Sequence, residues 1–320
     1  MLVFDTCLYG EQKQSSASAL RPIFREILMP NVGPTILDSA REFGTSILRS
    51  RSDIPSFELF GNTSKHMIFK ATTQDGRLLC LKVNLRAFEP QEDDKAVPPD
   101  RTELNAFAIA GDNAAWVPRI VDSCQDARWL LREWVGEYTS NQIKKADWTK
   151  QRLDGFWALF ADAFEAFHDR SNPYLIRDIK PTNVSYDTQR FFMFDFNTTK
   201  SLEQVRRSSV GSRLGNRSNR YAPPEILRGD FSSLALNADY FGFAAVFQRY
   251  ATGLSESVWS NSMRDEVEAM ATYQKEYQAL RTPTELALLG LGYSKSEIAF
   301  LIACLNPLSE QRPNKFVRPV

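Results

Sequence analysis

The chain has 320 residues, 43% of them hydrophobic and 24% charged, enough apolar material for two modest domains or one large one. Lys plus Arg equals Asp plus Glu at 39 each, so no global field directs the chain to nucleic acid or to an anionic membrane surface. Four widely spaced cysteines (Cys7, Cys80, Cys124 and Cys304) and two histidines (His66 and His168) argue against a disulfide framework, a zinc site or a His-based triad, and for a reducing compartment.

The first residues, MLVFDTCLYGEQKQ, lack a basic stretch followed by an apolar one, so no cleaved signal is expected. No run approaches the ~20 apolar residues of a membrane span, and the expectation is a soluble, cytoplasmic protein. Residues 1–52 form a leader whose Ser-, Gln- and Ala-rich first part reads as loosely structured. After Pro34-Thr35, Ile36, Leu37, Ala40, Phe43, Ile47 and Leu48 recur at helical spacing and predict an amphipathic helix. Such a helix either packs on the main domain or serves as a regulatory, partner-binding arm.

From Phe57 the period changes to two. FELFGNTSKHMIFKATTQDGRLLCLKVNL predicts three antiparallel strands with Gln74-Asp75-Gly76 as a turn, and Lys82 lies in the third among apolar neighbours. The acidic stretch FEPQEDDKAVPPD reads as an exposed loop. A helix follows from about Arg101 to Ala110 with Asp100 as N-cap, then two more strands around WVPRIVD and RWLLREWV.

Beyond Gly136 the pattern is helical. LDGFWALFADAFEAFHD carries a stripe of Phe156, Leu159, Phe160, Ala163, Phe164 and Phe167, which predicts a buried helix with His168 as a simple helix-end residue. Short strands flank the segment Arg177–Asn183, and three more helices are expected in ADYFGFAAVFQRYATG, from about Arg264 to Leu280, and in SKSEIAFLIACLNP. The class is therefore α+β: an N-terminal extension (1–52), a strand-rich part (53–135) and a helix-rich part (136–320).

Two short segments carry the chemistry. Arg177-Asp178-Ile179-Lys180-Pro181-Thr182-Asn183 sets a carboxylate, an ammonium and a carboxamide on one loop, and Asp195-Phe196-Asn197 adds a carboxylate on the next. Asp195 and Asn183 are hard oxygen donors suited to Mg²⁺. Asp178 is placed to accept or orient the proton of a hydroxyl, and Lys180 to neutralise charge on a moving phosphoryl group.

With Tyr221-Ala222-Pro223-Pro224-Glu225, Asp239-Tyr240-Phe241-Gly242-Phe243 through Thr252-Gly253, and Gln311-Arg312-Pro313, these segments follow the order of landmarks in one family. From about Phe57 to Pro313 the chain resembles a eukaryotic-type Ser/Thr protein kinase. The resemblance implies a bilobal fold, with a small antiparallel-sheet lobe bearing one main helix and a larger, mainly helical lobe. It implies transfer of the γ-phosphoryl group of Mg-ATP to Ser or Thr hydroxyls of a protein substrate, with Lys180-Pro181 favouring these acceptors over Tyr. Asp178, Lys180, Lys82 and Glu103 are the implied catalytic residues. Gly61, Lys82, Glu133, Val135, Asn183 and Asp195 are the implied nucleotide contacts, with Asn183 and Asp195 also holding the metal. Glu225 and Arg312 are the implied buried ion pair. Asp195–Glu225 is the implied activation segment, with Ser218 at a family Thr position, Ser208 or Ser209 as an autophosphorylation site, and Arg177 as the partner of a phosphorylated side chain.

The chain departs from the family at four places. Thr63 and His66 stand where the nucleotide-covering loop has its second and third glycines, Arg132 at an apolar gate position, Ile176 for a His, and Asn197 for a Gly. The turn at Asn197 is expected to survive because Asn tolerates positive φ. The chain ends seven residues after Pro313, before the place of the family's last helix. Two other readings share the fold: a pseudokinase scaffold, and an enzyme that transfers another group such as AMP.

Overall fold

A computed structural model describes residues 33–63, 65–89, 101–111, 114–136, 138–207, 221–228, 231, 234–253 and 266–319. The architecture is mixed α/β, with eight α-helices and antiparallel sheets among the described residues. The largest sheet holds β1 (Ser56–Asn62), β2 (His66–Thr72), β3 (Leu78–Asn84), β4 (Ile120–Ser123) and β5 (Trp129–Glu133) in the order β1-β2-β3-β5-β4. Two smaller sheets pair β6 (Tyr138–Thr139), β8 (Val184–Tyr186) and β9 (Phe191–Met193), and β7 (Tyr174–Leu175) with β10 (Lys200–Ser201).

Side-chain alternation explains the first sheet. In β2, Met67, Phe69 and Ala71 are buried while His66, Ile68, Lys70 and Thr72 are half-buried. The β2–β3 connection turns at Gly76, whose φ of 81° suits a residue without Cβ. One face of this sheet, with Phe69, Leu79, Leu81, Val83 and Leu131, is covered by α1 (Pro34–Arg49), which buries Ala40, Gly44 and Leu48. The amphipathic helix thus packs on the sheet. Gly44 allows the close approach, because a Cβ there would run into the Phe69 ring.

The rest of the chain is mainly helical. α2 (Thr102–Ala110) starts one residue later than expected, and Arg101 holds the N-cap position without a side-chain bond. Asp100 and the acidic residues Glu92, Asp93 and Asp94 lie outside the described residues. α3 (Lys150–His168) and α6 (Asn237–Thr252) form the centre, with Phe156, Trp157, Phe160, Phe164, Phe243 and Phe247 fully buried. Each such ring removed from water contributes about 1.5–3 kcal/mol.

α4 (Leu202–Arg207), which follows β10, and α5 (Pro224–Arg228) are short. α7 (Glu266–Gly290) runs ten residues beyond Leu280 and through Pro283, where a break would be expected. Thr284 ties the helix down there: its hydroxyl donates within the helix to Leu280 O at 2.7 Å and accepts from Gln248 Nε2 of α6, a tertiary bond, at 2.8 Å. α8 (Lys295–Cys304) begins in a capping box of Ser294 and Glu297. No helix of the described residues is long and apolar enough to cross a membrane.

Glu225 and Arg312 meet as a buried bidentate pair at 2.5 and 2.9 Å. Arg312 also donates to the carbonyls of Asn306 (2.6 Å) and Pro307 (3.1 Å) and lies over the Phe241 ring at 4.9 Å. With its donors engaged, this charge is one that a protein interior tolerates.

Candidate functional site

The polar site lies on the face of the first sheet opposite α1. Leu81 and Val83 point into the α1 core, so Lys82 between them points the other way. Its Nζ donates to both oxygens of Glu103, in the first turn of α2, at 3.0 and 2.9 Å, and to Asp195 Oδ1 at 2.7 Å. Lys82 and Glu103 are only 7% and 8% exposed, so neither could stay charged there without a partner.

The three groups tune one another. Burial works against the charge on Asp195, but the Lys82 ammonium outweighs it and holds the carboxyl far below the ordinary carboxylate range. Burial likewise opposes the Lys82 charge, yet Asp195 and Glu103 together raise its pKa. Glu103, the deeper carboxylate, is raised by burial despite Lys82, and the nearby Arg132 guanidinium pulls in the same direction as Lys82.

Ring packing positions Asp195 against α2. Phe196 is buried among Phe107 of α2, Trp116 and Phe167 of α3, with centroids 5.3, 6.4 and 5.5 Å away. The expected positive φ at Asn197 falls instead on Asp195, at 70°. The Asn197 amide donates back to Asp195 Oδ1, a bond that ties the turn from the other side.

The second half of the site is the loop 176–183. Lys180 Nζ meets Asp178 Oδ2 at 2.5 Å, and Asn183 Nδ2 donates to Asp178 O at 3.0 Å. Because its NH₂ is committed to Asp178, the Asn183 carboxamide oxygen remains an acceptor. Phe194 N–H donates to Asn183 O at 3.1 Å and links this loop to Asp195.

One buried carboxylate holds the loop. Asp239 of α6 accepts from Ile176 N–H (2.8 Å), Arg177 N–H (2.9 Å) and His168 Nε2 (3.0 Å). His168 is therefore a buried anchor rather than a simple helix-end residue. Arg177 sits at φ 72°, a left-handed conformation that costs a non-glycine residue about 1–3 kcal/mol and needs such fixing. Its guanidinium reaches Thr198 O at 3.4 Å, and burial pulls its pKa down.

The other expected contacts are placed as follows. Gly61 lies at a register shift of β1, with open space beside it. The Glu133 carboxylate turns outward to Arg119 Nε at 3.1 Å, Trp134 N–H donates to Leu78 O at 2.9 Å and Val135 is half-buried. Arg132, 8% exposed, lies over the Phe194 ring at 5.2 Å and donates from Nη1 to Glu133 O at 3.0 Å. Of the basic segment after Asp195, Arg207 pairs with Glu203 and Arg206 Nε donates to Leu234 O at 2.9 Å. Ser208, Ser209 and Ser218 lie outside the described residues.

His66 is a site residue whose place the sequence indicates only as an obstruction. Its ring lines a cavity with Lys82, Asn84, Arg86, Glu103 and Asn197. Burial, followed by Lys82, lowers its pKa well below the ordinary histidine value, against a smaller opposing effect of Asp195.

No family model matches the chain, and no curated protein matches it. The site is thus defined by its own geometry. Two ammonium groups, two carboxylates at the opening and a carboxamide can bind a polyanion and orient a hydroxyl. The described residues contain no group of three or more His, Cys, Asp or Glu that could hold a metal unaided. Asp195 with the Asn183 oxygen fits a magnesium ion that takes its remaining ligands from phosphates and water.

Proposed function

We propose that the protein is a Ser/Thr protein kinase of bilobal architecture, which transfers the γ-phosphoryl group of a Mg-bound nucleoside triphosphate such as ATP to a protein hydroxyl. The observation that carries this reading is the convergence of Lys82, Glu103 and Asp195 from three separate segments, next to Asp178, Lys180 and Asn183. A cytoplasmic enzyme fits the cysteine usage.

In this reading Lys82 binds the α- and β-phosphates while Glu103 fixes its position. Asp195 and Asn183 would hold a magnesium ion, which when bound would neutralise phosphate charge. Asp178 orients the acceptor hydroxyl and takes its proton as the oxygen–phosphorus bond forms and the bond to the β-phosphate oxygen breaks. Lys180 balances the charge of the moving phosphoryl group.

A second reading, a non-catalytic binding module of the same architecture, is favoured by His66 and Asn197, which occupy ground beside Lys82 and Asp195. The deciding experiment incubates wild type, Lys82→Ala and Asp195→Ala with a generic protein substrate and ATP plus GTP, labelled at the γ- or at the α-phosphate. Transfer of γ label that depends on both residues is expected. Transfer of α label would replace phosphorylation by nucleotide transfer. No label and no thermal shift with either Mg-nucleotide would overturn the kinase reading.

A further inference from the structure

We propose that the cavity beyond Lys82 is a subsite for a single phosphoryl group, held by Lys65, His66, Asn84 and Arg86. These four residues lie outside the donor contacts assigned above, and their binding of phosphate requires no transfer step.

Strand register builds the cavity. Asn84 follows Lys82 by two residues and so shares its face of β3, and His66 lies opposite Asn84 in the β2–β3 pairing. Leu85 N–H donates to Lys65 O at 2.8 Å, which brings the start of β2 against the end of β3. The enclosed space of about 40 Å³ runs from Lys82 past Asn84 to Arg86, with Leu104 of α2 and Leu130 of β5 as its apolar wall. That is room for roughly three waters, or for the oxygens of one phosphoryl group. Arg86 is exposed, so the cavity meets solvent at that end.

The charges left over in this space are all positive. Lys82 has spent its three N–H bonds on Glu103 and Asp195, and Glu103 is the one carboxylate in the lining. Among the described residues no carboxylate pairs with Lys65 or Arg86. Asn84 Oδ1 accepts from Arg86 N–H at 3.1 Å, which leaves the Asn84 NH₂ as a donor. The His66 ring feels the resulting field. Burial lowers its pKa most and Lys82 next, and Lys65 and Arg86 add to this against Asp195. A phosphoryl group brings acceptor oxygens on several sides and negative charge to match the unpaired cations.

A solvated basic surface is the competing explanation. It suits Arg86, which is exposed, but not Lys65 and His66, which are half-buried beside Lys82.

The test titrates inorganic phosphate into the full chain and follows the imidazole resonances by NMR. The chain has two histidines, and His168, bonded to Asp239, serves as the internal control. Phosphate should shift the His66 signals along a saturating curve and leave those of His168 in place. Lys65→Met and Arg86→Met should each weaken phosphate roughly tenfold, and Arg86→Lys should stay within a factor of about three of wild type. Thermal midpoints close to wild type in these variants would place the loss in binding rather than in folding. His66 signals that phosphate does not move, or that sodium chloride of equal ionic strength moves as far, would overturn the proposal. A phosphate affinity that survives both Met variants would do the same. A second series adds excess Mg-ATP. Phosphate binding that persists assigns the subsite to a separate phosphorylated ligand, and competition assigns it to the phosphate end of the nucleotide.

Discussion

Asp239→Asn removes one charge from the residue that holds the loop carrying Asp178, with almost no change of size. The carboxylate accepts from Ile176 N–H and His168 Nε2 on one oxygen, and from Arg177 N–H on the other. An asparagine keeps one acceptor. Its best orientation leaves that oxygen to Ile176 and His168 and turns the NH₂ against Arg177 N–H. One buried donor without an acceptor costs about 1–3 kcal/mol, and the two remaining bonds lose charge assistance worth about 1 kcal/mol more. The left-handed strain at Arg177, of the order of 1–3 kcal/mol, is partly released as the loop relaxes. The expected net loss is about 1–3 kcal/mol in urea unfolding followed by fluorescence of the six tryptophans. Asp178 directly follows Arg177, and a shift of about 1 Å in a catalytic group costs roughly 10²-fold in rate. Turnover of γ-labelled nucleotide should therefore fall about that far while the nucleotide KM hardly moves, since Lys82 and Asp195 are untouched. A loss under about 0.5 kcal/mol with unchanged kcat would refute the reasoning.

Lys82→Met should abolish transfer and also destabilise the fold by about 3 kcal/mol, because Glu103 stays buried without its cation. Addition of Glu103→Gln should recover part of that loss, and a double variant no more stable than Lys82→Met would contradict it. Gly44→Val should cost about 1–3 kcal/mol by overpacking against Phe69, read as a lower thermal midpoint; an unaffected midpoint would mean that α1 does not hold to the sheet. Stability should also depend on His66. The folded state keeps this ring neutral through burial and then Lys82, whereas an unfolded histidine takes up its proton near pH 6.5. Its contribution is complete above that pH and is lost as the pH falls below it. His66→Asn should flatten the decline of stability between pH 7.5 and 5, and an unchanged slope would assign that decline to other groups.

What the sequence revealed follows from the range of its signals. The period-two pattern placed β1 to β3, and the apolar stripes placed α1 and α3, because burial of one face repeats locally at two or 3.6 residues. The pairings of Lys82 with Glu103 and of Glu225 with Arg312 were legible only through the resemblance to protein kinases, and both sets of bonds are present in the structure. His168 and Asp239 offered no such clue. They are 71 residues apart, and a single histidine at the end of an apolar stripe is equally compatible with solvent. The stripe of α1 likewise announced a buried face without saying what covers it, which Gly44 and Phe69 decide only in three dimensions.

Backbone strain was the least legible feature. Asn197 looked suited to the positive φ, yet Asp195 adopts it, and Arg177 adopts another with no glycine or asparagine to signal it. Asp195 is itself proposed for chemistry and Arg177 directly precedes Asp178, and each is held in part from outside its own loop. Asp239 bonds the backbone at Arg177, while Lys82, Asn197 and the buried Phe196 ring fix Asp195. Local propensity opposes these conformations, so the large helical core has to enforce them. That makes α6 part of the site's construction: Asp239 bonds the loop that carries Asp178, and Gly242 packs closely against Ile179 of the same loop.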